Sequence, residues 1–277
     1  MVYYEENLEE KEMDMRPSRV LRQMRAGKVA TCVKINLADP RNAEIAAMCG
    51  FDCIWLDMEH VPNNMIDVEN LVRAAKIYDC DVLTRVSRGG YSDYIRPLEA
   101  DSAGIMVPHL MNLKEAEYVN YYTKFHPIGR RPLDGGNADG KYCLVDGLEY
   151  MKQANQERFV IIQIEDPEPL AELDEICQVP GIDMIFFGPA DFSQGAGIPC
   201  DWSNPLIDET RRRVAKTARK YGKFAGTAGG TGNFQSLIDM GYNFISTGAD
   251  VVGLSDYYLD IVSKVSGKNA ADYKNIK

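Results

Sequence analysis

The chain has 277 residues, 45% hydrophobic and 26% charged, a composition that suits one large α/β domain or two small ones. Its 31 Lys and Arg stand against 41 Asp and Glu, a net charge of −10, which argues against nucleic-acid binding because phosphate contacts need clustered cations. No apolar run approaches the roughly 18 residues of a membrane helix, and the acidic start Met1-Val2-Tyr3-Tyr4-Glu5-Glu6 lacks a signal peptide's basic and apolar regions; the expectation is a cytoplasmic protein with no membrane partner.

Residues 1–18 read as an acidic, Met-containing lead-in, a helix or a loose arm, and residues 19–277 as one domain. Residues 29–35 form a first strand. Asp39-Pro40 then opens a helix that Gly50 closes, a good start and stop pair. Further strands are expected at 52–57, 81–86, 104–107, 159–165, 183–187, 223–227 and 243–247. Helices are expected near 66–78, 93–100, 113–122, 169–177, 205–221, 234–240 and from Val252 onward. Irregular sequence with one extra helix separates the fourth and fifth strands. The strands are short continuous apolar runs, as expected of a parallel sheet covered on both faces. Eight strand–helix units in this length fit a closed (β/α)8 TIM barrel in a single domain. An open doubly wound sheet fits less well, because Asn36-Leu37-Ala38-Asp39-Pro40 follows the first strand where a Gly-x-Gly-x-x-Gly turn would stand. The seven Cys include no Cys-x-x-Cys pair. Cys32, Cys53 and Cys80 sit in or beside apolar runs and read as small buried hydrophobes in a reducing cytosol.

Three strand ends carry the candidate chemistry. The second strand runs out into Asp57-Met58-Glu59-His60, the fifth ends on Glu165 and the sixth runs into Gly188-Pro189-Ala190-Asp191. In such barrels the carboxyl ends of the strands hold the active site. Glu165 and Asp191 offer oxygen ligands to a hard divalent ion, though either alone is more often a helix cap. Together with the Asp57–His60 cluster they favour one metal site. Gln163 lies two residues before Glu165 and so on the same face of its strand; it faces a ligand or bonds within a barrel layer. Arg85 ends an apolar strand, where its planar fork suits a carboxylate or an enolate oxygen, or a salt bridge to Glu59 or Glu165. His60 reads as a general base with Asp57 orienting it and Glu59 as a supporting carboxylate near the metal. His109 and His126 sit beside Pro in apparent loops and receive no firm role from their spacing.

With these residues in order, the chain resembles the HpcH/HpaI class II pyruvate aldolases of the phosphoenolpyruvate/pyruvate barrel superfamily, over roughly residues 20–262. Leu56-Asp57-Met58-Glu59-His60, Gln163-Ile164-Glu165 and Gly188-Pro189-Ala190-Asp191-Phe192-Ser193 carry the likeness, supported by Arg85, Gly104-Ile105-Met106-Val107-Pro108 and Pro127-Ile128-Gly129-Arg130-Arg131. The resemblance implies a metal-dependent lyase that reversibly cleaves a 4-hydroxy-2-oxo acid to pyruvate and an aldehyde through a metal-bound pyruvate enolate. It implies Glu165 and Asp191 as metal ligands, with Mg2+ or Mn2+ as the ion and Co2+ or another divalent ion as further choices. It implies that Arg85 and Gln163 lie at the 2-oxo group and that the Gly188-Pro189-Ala190-Asp191 backbone binds the substrate carboxylate. His60, aided by Asp57, handles the proton. A homo-oligomer follows too, a hexamer as a trimer of dimers whose last helix packs on or exchanges with a neighbouring subunit.

Four places depart from the family pattern. Ser87-Arg88-Gly89-Gly90 stands where Pro usually follows the Arg-Val pair, and Pro132 stands where the Arg loop usually continues with Gly. His109 replaces an apolar residue, and Gly229-Gly230 follows the seventh strand. Arg88 and His109 either offer a second acidic group of the substrate a cation or face solvent. Two other readings share the scaffold: a citrate-lyase-like or 2-oxo acid decarboxylating enzyme, and a non-catalytic keto-acid-binding protein.

Overall fold

Eight parallel strands close in chain order, the last pairing with the first. They are β1 (Ala30–Ile35), β2 (Cys53–Asp57), β3 (Asp81–Arg85), β4 (Gly104–Val107), β5 (Phe159–Ile164), β6 (Met184–Phe187), β7 (Phe224–Gly229) and β8 (Phe244–Ala249). The computed structural model describes residues 14–266. Its helices are α1 (Arg19–Arg25), α2 (Pro40–Met48), α3 (Met65–Lys76), α4 (Tyr91–Glu99), α5 (Leu113–Thr123), α6 (Gly147–Glu157), α7 (Leu173–Ile176), α8 (Pro189–Gly195), α9 (Pro205–Lys220), α10 (Phe234–Asp239) and α11 (Asp250–Ser266). The fold is the (β/α)8 TIM barrel expected from the sequence.

Alternation along the strands divides the core in two. On β5, Phe159 and Ile161 join Trp55, Leu83, Met106, Met184, Phe186 and Phe244 inside the barrel. Val160, Ile162 and Ile164 instead pack outward under the helices. Because successive side chains take opposite faces, the same phase turns Gln163 inward, as it turns Asp57 of β2 and Arg85 of β3. Gly104 is required where it stands: a Cβ there would lie 2.2 Å from the Phe159 ring.

The amino-terminal end of the barrel is plugged by α1, whose Val20, Leu21 and Met24 join the interior cluster. Of the expected lead-in, residues 1–13 lie outside the described residues. Residues 14–18 form no helix; Met15 is buried against Phe125, Val145, Tyr150 and Ala154. Two expected elements differ. The helix after β5 is broken into a 3-10 turn, Glu168–Glu172, and the short α7, in keeping with Pro167 and Pro169, which lack an N–H for a helical ladder. The Gly188–Ser193 stretch, expected only as a possible helix start, carries a helix of its own, α8, with Pro189 in its first turn.

Candidate active site

The site lies at the carboxyl ends of β2, β3, β5 and β6. Asp57 is fully buried. It accepts from Arg85 Nε at 3.0 Å and Nη2 at 2.5 Å, and its Oδ2 lies 2.7 Å from Lys34 Nζ. Burial pushes the Asp57 carboxyl up, but the Arg85 and Lys34 partners outweigh it and hold the group well below the usual carboxylate range. The two cations lie over Trp55, with Arg85 Cζ 4.9 Å and Lys34 Nζ 5.5 Å from the ring centroid. Register explains the meeting: Asp57 faces Arg85 across the β2–β3 pair, and Lys34 faces Trp55 across the β1–β2 pair.

Past the end of β2 the chain turns sharply, and Asp57 Oδ1 accepts the backbone N–H groups of Glu59 at 3.0 Å and His60 at 3.4 Å. This corrects the expectation that Asp57 orients the His60 imidazole. Asp57 fixes the backbone under His60, its side chain being engaged by Arg85 and Lys34, and the acidic partner of the ring is Glu59, 3.5 Å from Nε2. The same Glu59 lies 3.1 Å from Arg85 Nη1 and 3.6 Å from His109 Nε2. The His60 side chain is 55% exposed.

On β5, Gln163 Nε2 donates to Glu165 Oε2. Gln163 Oε1 is buried without a hydrogen-bond partner among the described residues. Glu165 is fully buried and accepts the His109 backbone N–H at 2.8 Å. Burial raises its carboxyl, against the pull of His109 and Arg85, to about 7. A Cβ at Gly188 would lie 2.7 Å from Gln163 Nε2 and 2.9 Å from Glu165 Oε2, so glycine is required where these two side chains pack against the β6 end. Asp191 sits in the first turn of α8, where the leading N–H groups, including Ala190 and Asp191, have no intrahelical acceptors.

His109, read from sequence only as a cation for a second acidic group or a solvent-facing residue, belongs here. It has φ +48°, a left-handed conformation uncommon for a residue with a side chain. Its Nδ1 lies 2.8 Å from Asp166 Oδ2. Burial lowers the imidazole's proton affinity, but Asp166, Glu165 and Glu59 outweigh it and the net shift is upward. Among the described residues, one group of three, His109, Glu165 and Asp191, brings ligand atoms within 4.8 Å of one another, and it could hold a metal ion. The mixed oxygen and nitrogen donors and the bare Gln163 Oε1 fit a divalent ion with a bound ligand. Arg88, by contrast, pairs with Glu115 and is half-exposed. The Gly188-to-Asp191 backbone lies where the sequence placed it, at the β6 end.

A (β/α)8 barrel with a carboxylate and imidazole cluster and a buried Arg at its mouth has the layout of a metal-assisted barrel enzyme. The chain belongs to the HpcH/HpaI aldolase/citrate lyase family, whose model matches residues 31–256. A 2-keto-3-deoxy-L-rhamnonate aldolase of Klebsiella pneumoniae is 32% identical over 76% of this chain and 79% of its own length. A hydroxypyruvate/pyruvate aldolase of Pseudomonas aeruginosa is 27% identical over 92% of this chain and 95% of its own. The crystal structure of an HpcH/HpaI aldolase from Desulfitobacterium hafniense superposes with a TM-score of 0.84 at 25% identity, covering 90% of this chain and 97% of that one. These curated relatives are aldolases, carbon–carbon lyases.

Proposed function

We propose that the protein reversibly cleaves a 4-hydroxy-2-oxo acid to pyruvate and an aldehyde, with Glu165 and Asp191 holding a divalent ion. The observation that carries this reading is the approach of His109, Glu165 and Asp191 beside Arg85 at one end of the barrel. Bound there, the ion supplies Lewis-acid polarisation of the 2-oxo group. Arg85, clamped on Asp57 and backed by Trp55, aims its guanidinium at the oxygen that gains charge as the C3–C4 bond breaks. The N–H groups of Ala190 and Asp191 bind the substrate carboxylate, and Gln163 offers its amide beside it. His60 Nε2, next to Glu59, takes the proton from the 4-hydroxyl; the C3–C4 electron pair passes to the 2-oxo side, the aldehyde leaves and the proton returns at C3. In the condensation direction the same steps run backward.

The most direct test follows the pyruvate methyl signal in D2O by proton NMR. The protein with Mg2+, Mn2+ or Co2+ is expected to exchange the methyl protons, and His60→Ala to slow the exchange while the ion stays bound. Neither exchange nor aldol cleavage with any of the three ions overturns the proposal.

The same reading places α11 against a second copy of the chain. No α11 residue is buried, and Val252, Tyr257, Tyr258, Ile261 and Val265 are exposed, more apolar surface than a solvated helix face usually shows. A hexamer built as a trimer of dimers is the assembly we propose, checked by light scattering; a monomeric mass refutes it. Seven unpaired cysteines suit a reducing cytoplasm.

A further inference from the structure

We propose that His109 is a third protein ligand to the divalent ion at the barrel mouth, and that its imidazole tilts the site away from Mg2+ toward transition ions such as Co2+ and Mn2+. This inference rests on the aldolase reading's metal site and sharpens the ligand set of that site.

The geometry of the ring is the first support. Nδ1 lies 2.8 Å from the Asp166 carboxylate. An ionised carboxylate only accepts, so Nδ1 carries the hydrogen and Nε2 is the nitrogen left to bind. Among metal-binding histidines, a carboxylate on the far nitrogen is the usual device for fixing tautomer and ring direction. Here that carboxylate is contributed by the residue directly after Glu165, so one turn holds a ligand and the partner of the next. The ring also reaches the right carboxylates: Nε2 lies 3.9 Å from Glu165 Oε1 and 3.6 Å from Glu59 Oε1, with no hydrogen bond of its own. An ion between Nε2 and Glu165 would sit at bonding distance of both after a small ring movement.

A second, separate observation points to a ligand at the same place. Gln163 is 3% exposed, its amide touches the Glu165 carboxylate, and its Oε1 has no partner. A buried amide oxygen left bare is costly unless something binds near it. Gly188 lets both side chains pack directly against the β6 end, since a Cβ would fall within 3.0 Å of both the Gln163 amide and the Glu165 carboxylate.

The chemistry sets the direction of the effect. Two carboxylates and water suit Mg2+, which takes oxygen ligands and keeps its waters. Adding an imidazole nitrogen favours ions later in the Mn2+, Co2+, Ni2+ order, whose nitrogen affinity rises along the series. An apolar residue at position 109 would leave the site to oxygen donors alone.

The probes are the metal ions alone, titrated into the full chain without substrate. Calorimetry is expected to show Co2+ preferred over Mg2+, and His109→Met to reduce that preference by about tenfold or more through the Co2+ affinity, with Mg2+ binding little changed. Pulsed EPR of bound Mn2+ is expected to show nitrogen coupling that changes its pattern when the protein is labelled with nitrogen-15 histidine and disappears in His109→Met. Should His109→Met fold poorly, Asp166→Asn is expected to weaken the same preference in a folded protein. An ion that binds with no histidine coupling, and with a selectivity that His109→Met leaves unchanged, overturns the inference while sparing the two-carboxylate site. No binding of any divalent ion overturns both.

Discussion

The two ends of the barrel both bury charge, but they balance it differently. At the amino-terminal end, Asp81 accepts from Arg16 at 2.7 Å, Ser18 at 2.7 Å and the Val20 N–H at 2.9 Å. Asp101 accepts from Arg158 at 2.6 Å and Lys76 at 3.3 Å. Arg16, Lys76 and Arg158 thus cover two carboxylates. At the carboxyl end, Asp57, Glu59, Glu165, Asp166 and Asp191 gather around Lys34, Arg85 and the titratable His109. One end pairs its carboxylates with its own cations; the other keeps a surplus of carboxylate. Buried charge by itself therefore does not mark a site. A surplus of carboxylate over cation does, because like charge buried without balance is costly unless a cation completes it.

The largest effect that would sharpen this contrast is expected at the mouth. Glu165→Gln or Asp191→Ala should weaken Mn2+ binding by at least about 100-fold, since losing a ligand costs more than losing its support. Cleavage should fall in parallel while the thermal midpoint moves little; calorimetry and a melting curve measure the two. At the other end the pattern should invert. Asp101→Asn strands Arg158 and should cost about 3–5 kcal/mol of stability in denaturant unfolding, with the metal affinity of the folded protein unchanged. A loss of metal affinity there would break the division between the ends.

Arg85→Lys should fall between the two. It keeps the charge but loses the two-pronged grip on Asp57, and kcat/KM should drop about 100-fold in steady-state kinetics. The smallest effect is in acid. The Asp57 carboxyl is held low when folded, so its contribution to stability is complete above the unfolded value of about 3.9 and is lost as pH falls through the lower folded value. Unfolding midpoints should decline below about pH 4, and Asp57→Asn, less stable at neutral pH, should decline less steeply.

Much of this was legible in the sequence because strands carry a period of two. The phase that places Phe159 and Ile161 inside also turns Gln163 inward, and apolar runs ending on Asp57 and Glu165 flagged the mouth. The helix boundary at Asp39-Pro40 was equally readable, since Asp39 caps the Arg41 N–H and Pro40 starts α2. What escaped depends on geometry between segments. The role of Lys34 rests on the β1–β2 register. Asp57 turned out to grip Arg85 and the His60 backbone in place of the His60 ring, because Arg85 is its direct neighbour across the sheet. His109 was visible as a departure from an apolar position, but the left-handed turn that swings its ring toward Glu165 leaves no periodic trace. The break of the helix after β5 could have been read from Pro167 and Pro169, had their missing N–H groups been counted.

The central claim is that the carboxylate surplus at the mouth holds a divalent ion that activates a 2-oxo acid. Anomalous diffraction from crystals grown with Mn2+ and oxalate, a stand-in for the enolate of pyruvate, tests it most directly. The account predicts one strong manganese peak at bonding distance from Glu165 and Asp191, with oxalate between it and Arg85. A peak elsewhere, or oxalate bound at the mouth with no manganese beside those two carboxylates, would contradict it.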